Sequence, residues 1–344
     1  GREVSISMSN SQEIAQKGPE LPLLFEDDVI KKIHHLINIR LPNGETTLSS
    51  AAKYHFAQPG KMLRGKMAVH SAELLKVNDT ASLYWAAAIE TLHNASLIHD
   101  DICDNDLIRR DQPSIWSKYG KNVALTLGDW LIALAFELAA EASQRAQTPT
   151  LVKILAQHMA TTTSGEASEF SLNKVPDWSQ YVQMASDKTA PLLTAPFEGV
   201  AAMALYGEAS SSISVYFRSL GAAYQIANDL MNFRALDGAV SKGSDLARRA
   251  PNAVVVTYRE TLSPDKLYLF DSWYSSGSNS DFKSWRFEIL SSRAMFIAAE
   301  RMQDNLSQSS HLVEEMPLAL AGAVLPVQEL LQKVCMKATS LTET

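Results

Sequence analysis

Apolar residues recur at every third or fourth position along most of the chain, as they do in helices with one buried face. The clearest examples are residues 81–99, 123–143, 151–160 and 212–230. Alternating runs typical of strands are scarce, and residues 253–258 form the main cluster of β-branched side chains. The pattern therefore predicts an all-α fold, built as a single large helical bundle.

The same pattern predicts how the chain is organised. Its 344 residues contain no Pro/Gly-rich linker, so we expect one all-α domain over residues 21–335. Residues 1–20 are polar and are expected to form a disordered tail. The residues before Met8 are expected to be a non-native remnant. Residues 336–344 are expected to form a second polar tail. Because no long apolar run and no apolar signal core appear, we expect a cytoplasmic protein without a transmembrane segment.

Composition and charge exclude several classes of protein. With 46% hydrophobic residues the chain is too apolar for an intrinsically disordered protein, and two cysteines exclude a disulfide scaffold. The 31 basic and 38 acidic residues give a net charge of −7. Such a chain lacks the basic footprint of a nucleic-acid-binding protein. The acidic excess instead raises the question of a metal site.

One acidic segment carries most of the chemical information. Asp100 and Asp104 are four positions apart, so on a helix their carboxylates project from one face. Hard oxygen ligands at this spacing suit Mg²⁺, which keeps several waters and accepts substrate phosphates. Asp101 adds a third carboxylate, and Arg109 and Arg110 follow with forked donors that match phosphate oxygens. The segment predicts a cradle for a diphosphate.

A second cluster repeats this spacing with fewer charges. Gln225 precedes Asn228, Asp229 and Asn232, which combine one carboxylate with two amides. Amide oxygens bind Mg²⁺ without contributing charge, so we expect weaker metal binding here. Two such clusters on apolar helices predict helices that face each other across a cavity.

At these residues the chain resembles the trans-isoprenyl diphosphate synthase family, over about residues 55 to 260. Asp100, Asp101 and Asp104 match its first DDxxD motif, and Arg109-Arg110 with Pro113 match the basic tail that follows. Further blocks occur in the family's order: Gly60-Lys61 with Arg64, His93, Gly128-Asp129, Lys188-Thr189 and Gln225.

The resemblance implies a helical bundle of the isoprenoid synthase type with a central apolar cavity, acting as an Mg²⁺-dependent prenyltransferase and a homodimer. It implies metal ligands at Asp100, Asp101, Asp104 and Asp229, with Lys188 beside the first three as a catalytic residue. The remaining substrate-binding residues that it implies are Lys61, Arg64, His93, Arg109, Arg110, Thr189, Gln225, Asn228, Lys242 and Arg249. Among them Lys61, Arg64, His93 and Arg110 are expected to hold the phosphate of the acceptor. The small residues Ala95 and Ser96 before the first motif indicate room for a prenyl chain of geranylgeranyl length or more.

The second half of the chain departs from the family pattern. Asn228 stands where the second motif begins with an aspartate, and Arg249 is expected to replace the lysine of a later block that begins near Lys242. His55, His70 and His158 have no partners at zinc-site spacing, so we assign them no ligand role.

Three hypotheses remain. The first is chain elongation, in which an allylic diphosphate condenses with isopentenyl diphosphate. The second is transfer of a finished geranylgeranyl chain to another phosphate-bearing acceptor, as in fungal indole-diterpene pathways, where indole-3-glycerol phosphate becomes 3-geranylgeranylindole. The third is a non-catalytic partner subunit. We favour the second, because a basic acceptor set persists while the second motif is eroded.

Overall fold

The computed structural model describes residues 27–57, 59–234 and 244–340. Its helices follow one another with short connections. In chain order they are α1 (Asp27–Asn38), α2 (Thr47–His55), α3 (Leu63–Leu74), α4 (Asp79–Asp104), α5 (Ile115–Tyr119), α6 (Lys121–Ala146), α7 (Thr150–Phe170), α8 (Trp178–Met203), α9 (Ser210–Arg234), α10 (Ala253–Glu260), α11 (Pro264–Ser276), α12 (Phe282–Ser291), α13 (Ala294–Leu312) and α14 (Leu318–Ser340). Short 3₁₀ turns occur at Gly207–Ala209 and Val313–Glu315. The predicted all-α fold is confirmed.

The β-branched cluster at residues 253–258 forms part of helix α10. Asn252 starts this helix, because its side chain accepts a hydrogen bond from the backbone N–H of Val254 at 2.8 Å. Residues 253–258 are all buried. Burial and an N-cap therefore outweigh the strand preference of the valines in this segment.

The helices group into two compact units, and the single domain expected over residues 21–335 stays a prediction. Of the residues that the structure describes, the first unit takes those within 1–159, 192–215 and 312–330, and the second takes those within 160–191, 216–311 and 331–344. Each unit is assembled from three separate stretches of chain. Because no single linker divides them, the sequence shows no composition change at a boundary.

The core of the first unit surrounds helix α4, which packs most extensively against α6 and then against α3. Trp85 is fully buried, and its indole N–H donates to the carbonyl oxygens of Ala195 at 3.2 Å and Pro196 at 3.3 Å. Gly128 in α6 allows a close approach, because an added Cβ would lie 2.0 Å from Nε2 of His99. The glycine of the Gly128-Asp129 block is therefore needed for helix packing beside the acidic motif.

A short β-hairpin follows α4. Strand β1 (Ile108–Arg109) pairs with β2 (Gln112–Pro113), with Arg109 opposite Gln112. The two turn residues, Arg110 and Asp111, have φ angles of 52° and 62°. Two-residue hairpins favour such positive φ angles because their twist matches that of the strands. The sequence did not predict this hairpin, since its turn lacks the Asn-Gly or Asp-Gly pair that normally signals one.

In the second unit the segment of α8 around Lys188 lies between two close backbone contacts. A Cβ added at Gly165 of α7 would lie 2.8 Å from the backbone nitrogen of Lys188, and one at Gly221 of α9 would lie 3.0 Å from Cα of Ala190. Aromatic side chains form a second packing centre. It consists of Tyr258, Phe270, Trp273, Tyr274 and Trp285.

The end of the chain differs from the prediction over residues 336–340. These residues continue helix α14 through Ser340, and Ala338 is fully buried. Packing of one apolar face therefore extends the helix into the segment expected to be a polar tail. Among the described residues, helices α6 and α14 are long and apolar enough to cross a membrane, and about half of each apolar stretch is buried within the protein. Core helices share this property.

Candidate active site

The first acidic motif occupies the last turn of α4. Asp100 and Asp104 are partly exposed and lie one turn apart, whereas Asp101 is 3% exposed. The helix ends at Asn105, whose φ of 55° is left-handed, and the next N–H, of Asp106, donates to the carbonyl of Asp101 at 3.0 Å. This cap fixes the last turn and therefore the spacing of the carboxylates.

Asp101 is bound by Arg109. The Nε and Nη2 atoms of Arg109 donate to the two carboxylate oxygens at 3.0 and 2.6 Å. Both side chains are about 5% exposed, so this is a buried bidentate ion pair. The three predicted metal ligands thus divide into a partly exposed pair, Asp100 and Asp104, and a buried Asp101 that fixes the hairpin to α4.

The carboxylates of the first motif fit an Mg²⁺ ion whose coordination is completed by substrate phosphates. Within the described ranges, no group of three or more His, Cys, Asp or Glu side chains forms a preformed metal site. Mg²⁺ commonly needs only one or two carboxylates when waters and substrate phosphates complete its octahedron. Asp100 and Asp104 supply two hard oxygen donors from one helical face. Asp101 differs from the prediction, because both of its oxygens accept hydrogen bonds from Arg109.

The predicted acceptor residues lie in the first unit with the acidic motif. Arg64 is 2% exposed, and one of its Nη atoms lies 3.4 Å from Nε2 of His93. Burial, together with the charge of Arg64, lowers the pKa of His93 well below its usual value. His93 is therefore neutral, and its Nε2 accepts from Arg64. Lys61 is half-buried at the start of the same block.

Arg110 points from the hairpin turn toward α4. Its Nη2 donates to Oδ1 of Asn94 at 3.2 Å. Burial, followed by the charge of Arg109, lowers the pKa of Arg110 from its ordinary value. Nevertheless arginine remains charged in proteins, so the turn places a cation in a partly desolvated position.

Lys188 and Thr189 are engaged within the second unit. The Lys188 ammonium donates to both carboxylate oxygens of Glu169 at 3.1 and 3.2 Å, and Glu166 lies 3.8 Å away. Thr189 donates its hydroxyl to Oε1 of Gln225 at 2.7 Å. The two adjacent residues therefore contact different partners, since Lys188 binds carboxylates and Thr189 binds the Gln225 amide.

The second motif is engaged differently from the prediction. Asp229 is 1% exposed, and its carboxylate accepts hydrogen bonds from the hydroxyl of Tyr181, from Gln225 Nε2 at 2.9 Å and from the N–H of Ala253 at 2.9 Å. Burial and the nearby Asp245 raise the pKa of Asp229 well above its usual range. Three protein donors thus occupy a carboxylate that we expected to bind metal.

The amides of this motif also serve the fold. Oδ1 of Asn232 accepts from the N–H of Asp245 at 3.3 Å, and Asn252 donates to both the carbonyl of Asp229 and the carboxylate of Asp245 at 3.1 Å. Asn228 is 1% exposed. The cluster ties α9 to the start of α10.

Arg249 is engaged within the protein, whereas we expected it to replace a substrate-binding lysine. Its guanidinium lies 3.8 Å from the centroid of the Trp273 ring. All five of its N–H donors reach backbone carbonyls. These belong to Leu246, Ala247, Trp273, Tyr274 and Ser278. The side chain therefore fixes a turn, because its donors are consumed within the protein.

Lys242 lies outside the described residues. The sequence reasoning missed Asn94, Tyr181 and Asn252, which hold predicted site residues in place. Asn94 directly follows His93, and Asn252 precedes the α10 helix as an N-cap residue. Those two positions carried a local signal, whereas Tyr181 is separated from Asp229 by 48 residues.

Comparison with known proteins identifies the family. A sequence model of the polyprenyl synthetase family matches residues 45–286, so the chain belongs to that family, and it is a prenyltransferase. It is 30% identical over 248 residues to a short chain isoprenyl diphosphate synthase of Methanocaldococcus jannaschii, covering 71% of this chain and 76% of that protein. A geranylgeranyl diphosphate synthase of Sulfolobus acidocaldarius is 28% identical over 250 residues, covering 70% and 76%.

Solved structures share the fold. A geranylgeranyl pyrophosphate synthetase from Pyrococcus horikoshii superposes with a TM-score of 0.76 at 24% identity, covering 91% of this chain and 98% of that one. A polyprenyl synthase from Caulobacter crescentus, crystallised with calcium and isoprenyl diphosphate, gives a TM-score of 0.76 at 24% identity, covering 89% and 94%. The isoprenoid synthase fold expected from the sequence is therefore confirmed.

Proposed function

We propose that this protein is a Mg²⁺-dependent prenyl diphosphate synthase that extends an allylic diphosphate with isopentenyl diphosphate, giving geranylgeranyl diphosphate or a longer product. The observation that carries the proposal is the last turn of α4, where Asp100 and Asp104 are partly exposed while Asp101 fixes Arg109. The relatives named above are diphosphate synthases, which favours elongation over the indole acceptor that we preferred from the sequence.

In this proposal Asp100 and Asp104 hold Mg²⁺, which when bound neutralises the diphosphate as it leaves. Arg109, whose charge is balanced by Asp101, fixes the hairpin beside the same carboxylates. The allylic C–O bond breaks and the diphosphate leaves with the electron pair. The acceptor's double bond then attacks the allylic cation, and loss of one proton completes the new alkene.

Lys61, Arg64, His93 and Arg110 bind the acceptor's diphosphate. Two features of the described residues support this role. Arg64 and Arg110 are cations on α3 and the hairpin, and His93, kept neutral by burial, accepts from Arg64 and holds its guanidinium in place. Arginine recognises phosphate oxygens with two parallel donors.

Asp229 has a structural role in this proposal in place of metal binding. Its three protein donors and raised pKa support that assignment. Because Asp100 and Asp104 are the main Mg²⁺ ligands in this proposal, Asn228 and Asn232 can stand where carboxylates are expected. The Asn232 amide accepts a hydrogen bond from the N–H of Asp245 instead.

The test offers two allylic substrates and two acceptors in parallel with Mg²⁺. Farnesyl and geranylgeranyl diphosphate are each incubated with isopentenyl diphosphate or with indole-3-glycerol phosphate, and products are identified by mass. We expect longer prenyl diphosphates and no prenylated indole. Prenylated indole without elongation of either substrate would refute the proposal, and activity only after adding a second protein would indicate a partner subunit.

The homodimer and the cytoplasmic location stay predictions. Light scattering of the purified protein measures the first, and microscopy of the tagged protein in its own cells measures the second.

A further inference from the structure

We propose that His55 and Asn94 are positioning residues that hold the Arg110 guanidinium in the orientation needed to bind the acceptor's diphosphate. The inference rests on the proposed function, because it concerns the acceptor site assigned there. It adds two residues that the family resemblance did not include among the site residues.

The backbone gives the first reason to expect a dedicated support for Arg110. Its φ of 52° lies in the left-handed region, which is sterically unfavourable for a residue with a Cβ. Such strain persists only where surrounding contacts determine the conformation. Tyr54 contributes one such contact, because its hydroxyl donates to the carbonyl of Pro113 in the hairpin at 2.8 Å.

The Arg110 side chain is enclosed on two sides. Nη2 donates to Oδ1 of Asn94 at 3.2 Å. On the other side, a Cβ added at Gly60 would lie 2.8 Å from Nη2 and 3.2 Å from the central guanidinium carbon. The guanidinium therefore lies against the backbone of Gly60, where an added Cβ would have to displace it.

His55 fixes the amide that Arg110 contacts. Nε2 of His55 lies 2.8 Å from Oδ1 of Asn94, and Nδ2 of Asn94 donates to the carbonyl of Glu90 at 2.7 Å. Because Nδ2 is used by Glu90, Oδ1 is the acceptor for both His55 and Arg110. Burial, reinforced by Arg110, lowers the pKa of His55 to about 3. His55 is thus neutral and carries its proton on Nε2.

Charge distinguishes Arg110 from its neighbour. Arg109 is neutralised by the carboxylate of Asp101 at 2.6 Å. Within the part of the chain that the structure describes, Arg110 forms no ion pair, and its partner is the uncharged Asn94 amide. A neutral acceptor orients a guanidinium without cancelling its charge, so Arg110 keeps its attraction for a phosphate. An aspartate at position 94 would orient Arg110 equally well and would compete with the substrate.

The experiment compares His55→Leu, which removes the donor, with His55→Gln, whose amide keeps a donor near the position of Nε2. Asn94→Ala removes the acceptor, and Arg110→Lys removes the forked guanidinium. His70→Leu is the control for losing a buried histidine of the same unit, since no hydrogen-bond partner of its ring lies among the described residues. Steady-state KM values are measured separately for isopentenyl diphosphate and for farnesyl diphosphate, with circular dichroism as a check of folding.

We expect His55→Leu and Asn94→Ala to raise the KM for isopentenyl diphosphate about tenfold, which corresponds to about 1.4 kcal/mol of binding. The KM for farnesyl diphosphate should stay unchanged, and His55→Gln should lie close to the wild type. If His55→Leu fails to fold, Asn94→Ala decides the question.

Three results would overturn the inference. The first is an unchanged KM for isopentenyl diphosphate in Asn94→Ala, together with a raised value in Arg110→Lys; this leaves the proposed function standing. The second is an equal rise in both KM values, which indicates general damage. The third is the absence of any elongation in the wild type, which refutes the proposed function itself.

Discussion

Asp101 is paired with Arg109 in the protein interior, whereas Asp100 and Asp104 of the same motif are partly exposed. This difference leads to a prediction about Asp101→Asn. Asparagine keeps the shape of the side chain but offers one acceptor and one NH₂ group to the two donors of Arg109. The guanidinium then remains buried without its counter-charge. Breaking a buried ion pair costs about 3–5 kcal/mol, and the acceptor that asparagine retains places the expected loss near the lower end, at about 3 kcal/mol.

This loss is measured as a shift in Tm. With an unfolding entropy of about 2.1 cal/mol/K per residue over 344 residues, a loss of about 3 kcal/mol lowers Tm by about 4 °C. The matched control is Asp104→Asn, which removes the like-charge repulsion with Asp100 and should leave stability unchanged or raise it by about 0.2–0.5 kcal/mol. Equal Tm values for both variants would refute the division of the motif into a metal-binding pair and a buried support.

Three further predictions concern other positions. Arg249→Met should lower the unfolding free energy by about 2–4 kcal/mol, because it leaves partly buried backbone carbonyls without their donor, and it should not change either KM. A raised KM at unchanged stability would show that Arg249 binds substrate. His55 has its pKa lowered to about 3 by burial and Arg110, whereas the unfolded chain protonates it near pH 6.5. The unfolding free energy should therefore fall as pH decreases, by about 1.4 kcal/mol for this residue between about pH 7.5 and about pH 5.5. Urea titrations should show a weaker pH dependence in His55→Gln, and an unchanged pH dependence would contradict the assignment. Ser96→Phe should shorten the prenyl product as seen by mass spectrometry, because it adds bulk at the half-buried position four residues before Asp100; unaltered product length would show that Ser96 serves only packing.

Local patterns predicted the helices and the acidic motif because both depend on short sequence intervals. The i, i+4 spacing of Asp100 and Asp104 has the same meaning in the sequence and in α4. Residues 253–258 show the limit of such reasoning. Their β-branched side chains favour a strand locally, and burial within the second unit decides for a helix.

Hydrogen-bond partners that are distant in sequence could not be predicted from local patterns. Arg249 looks like a substitute lysine until its five carbonyl acceptors, at positions from 246 to 278, are seen. Asp229 and Tyr181 are 48 residues apart, and no spacing rule joins them. The Arg110-Asp111 turn was missed for a related reason, since a strained turn without glycine depends on contacts from Tyr54 and Asn94.

The most direct test of the central claim is the mass spectrum of products formed from farnesyl diphosphate and isopentenyl diphosphate with Mg²⁺. The wild-type protein should yield prenyl diphosphates lengthened by whole isoprene units, and folded Asp104→Asn should lose almost all of this product. Undiminished elongation by Asp104→Asn, or none by the wild type, would contradict the account.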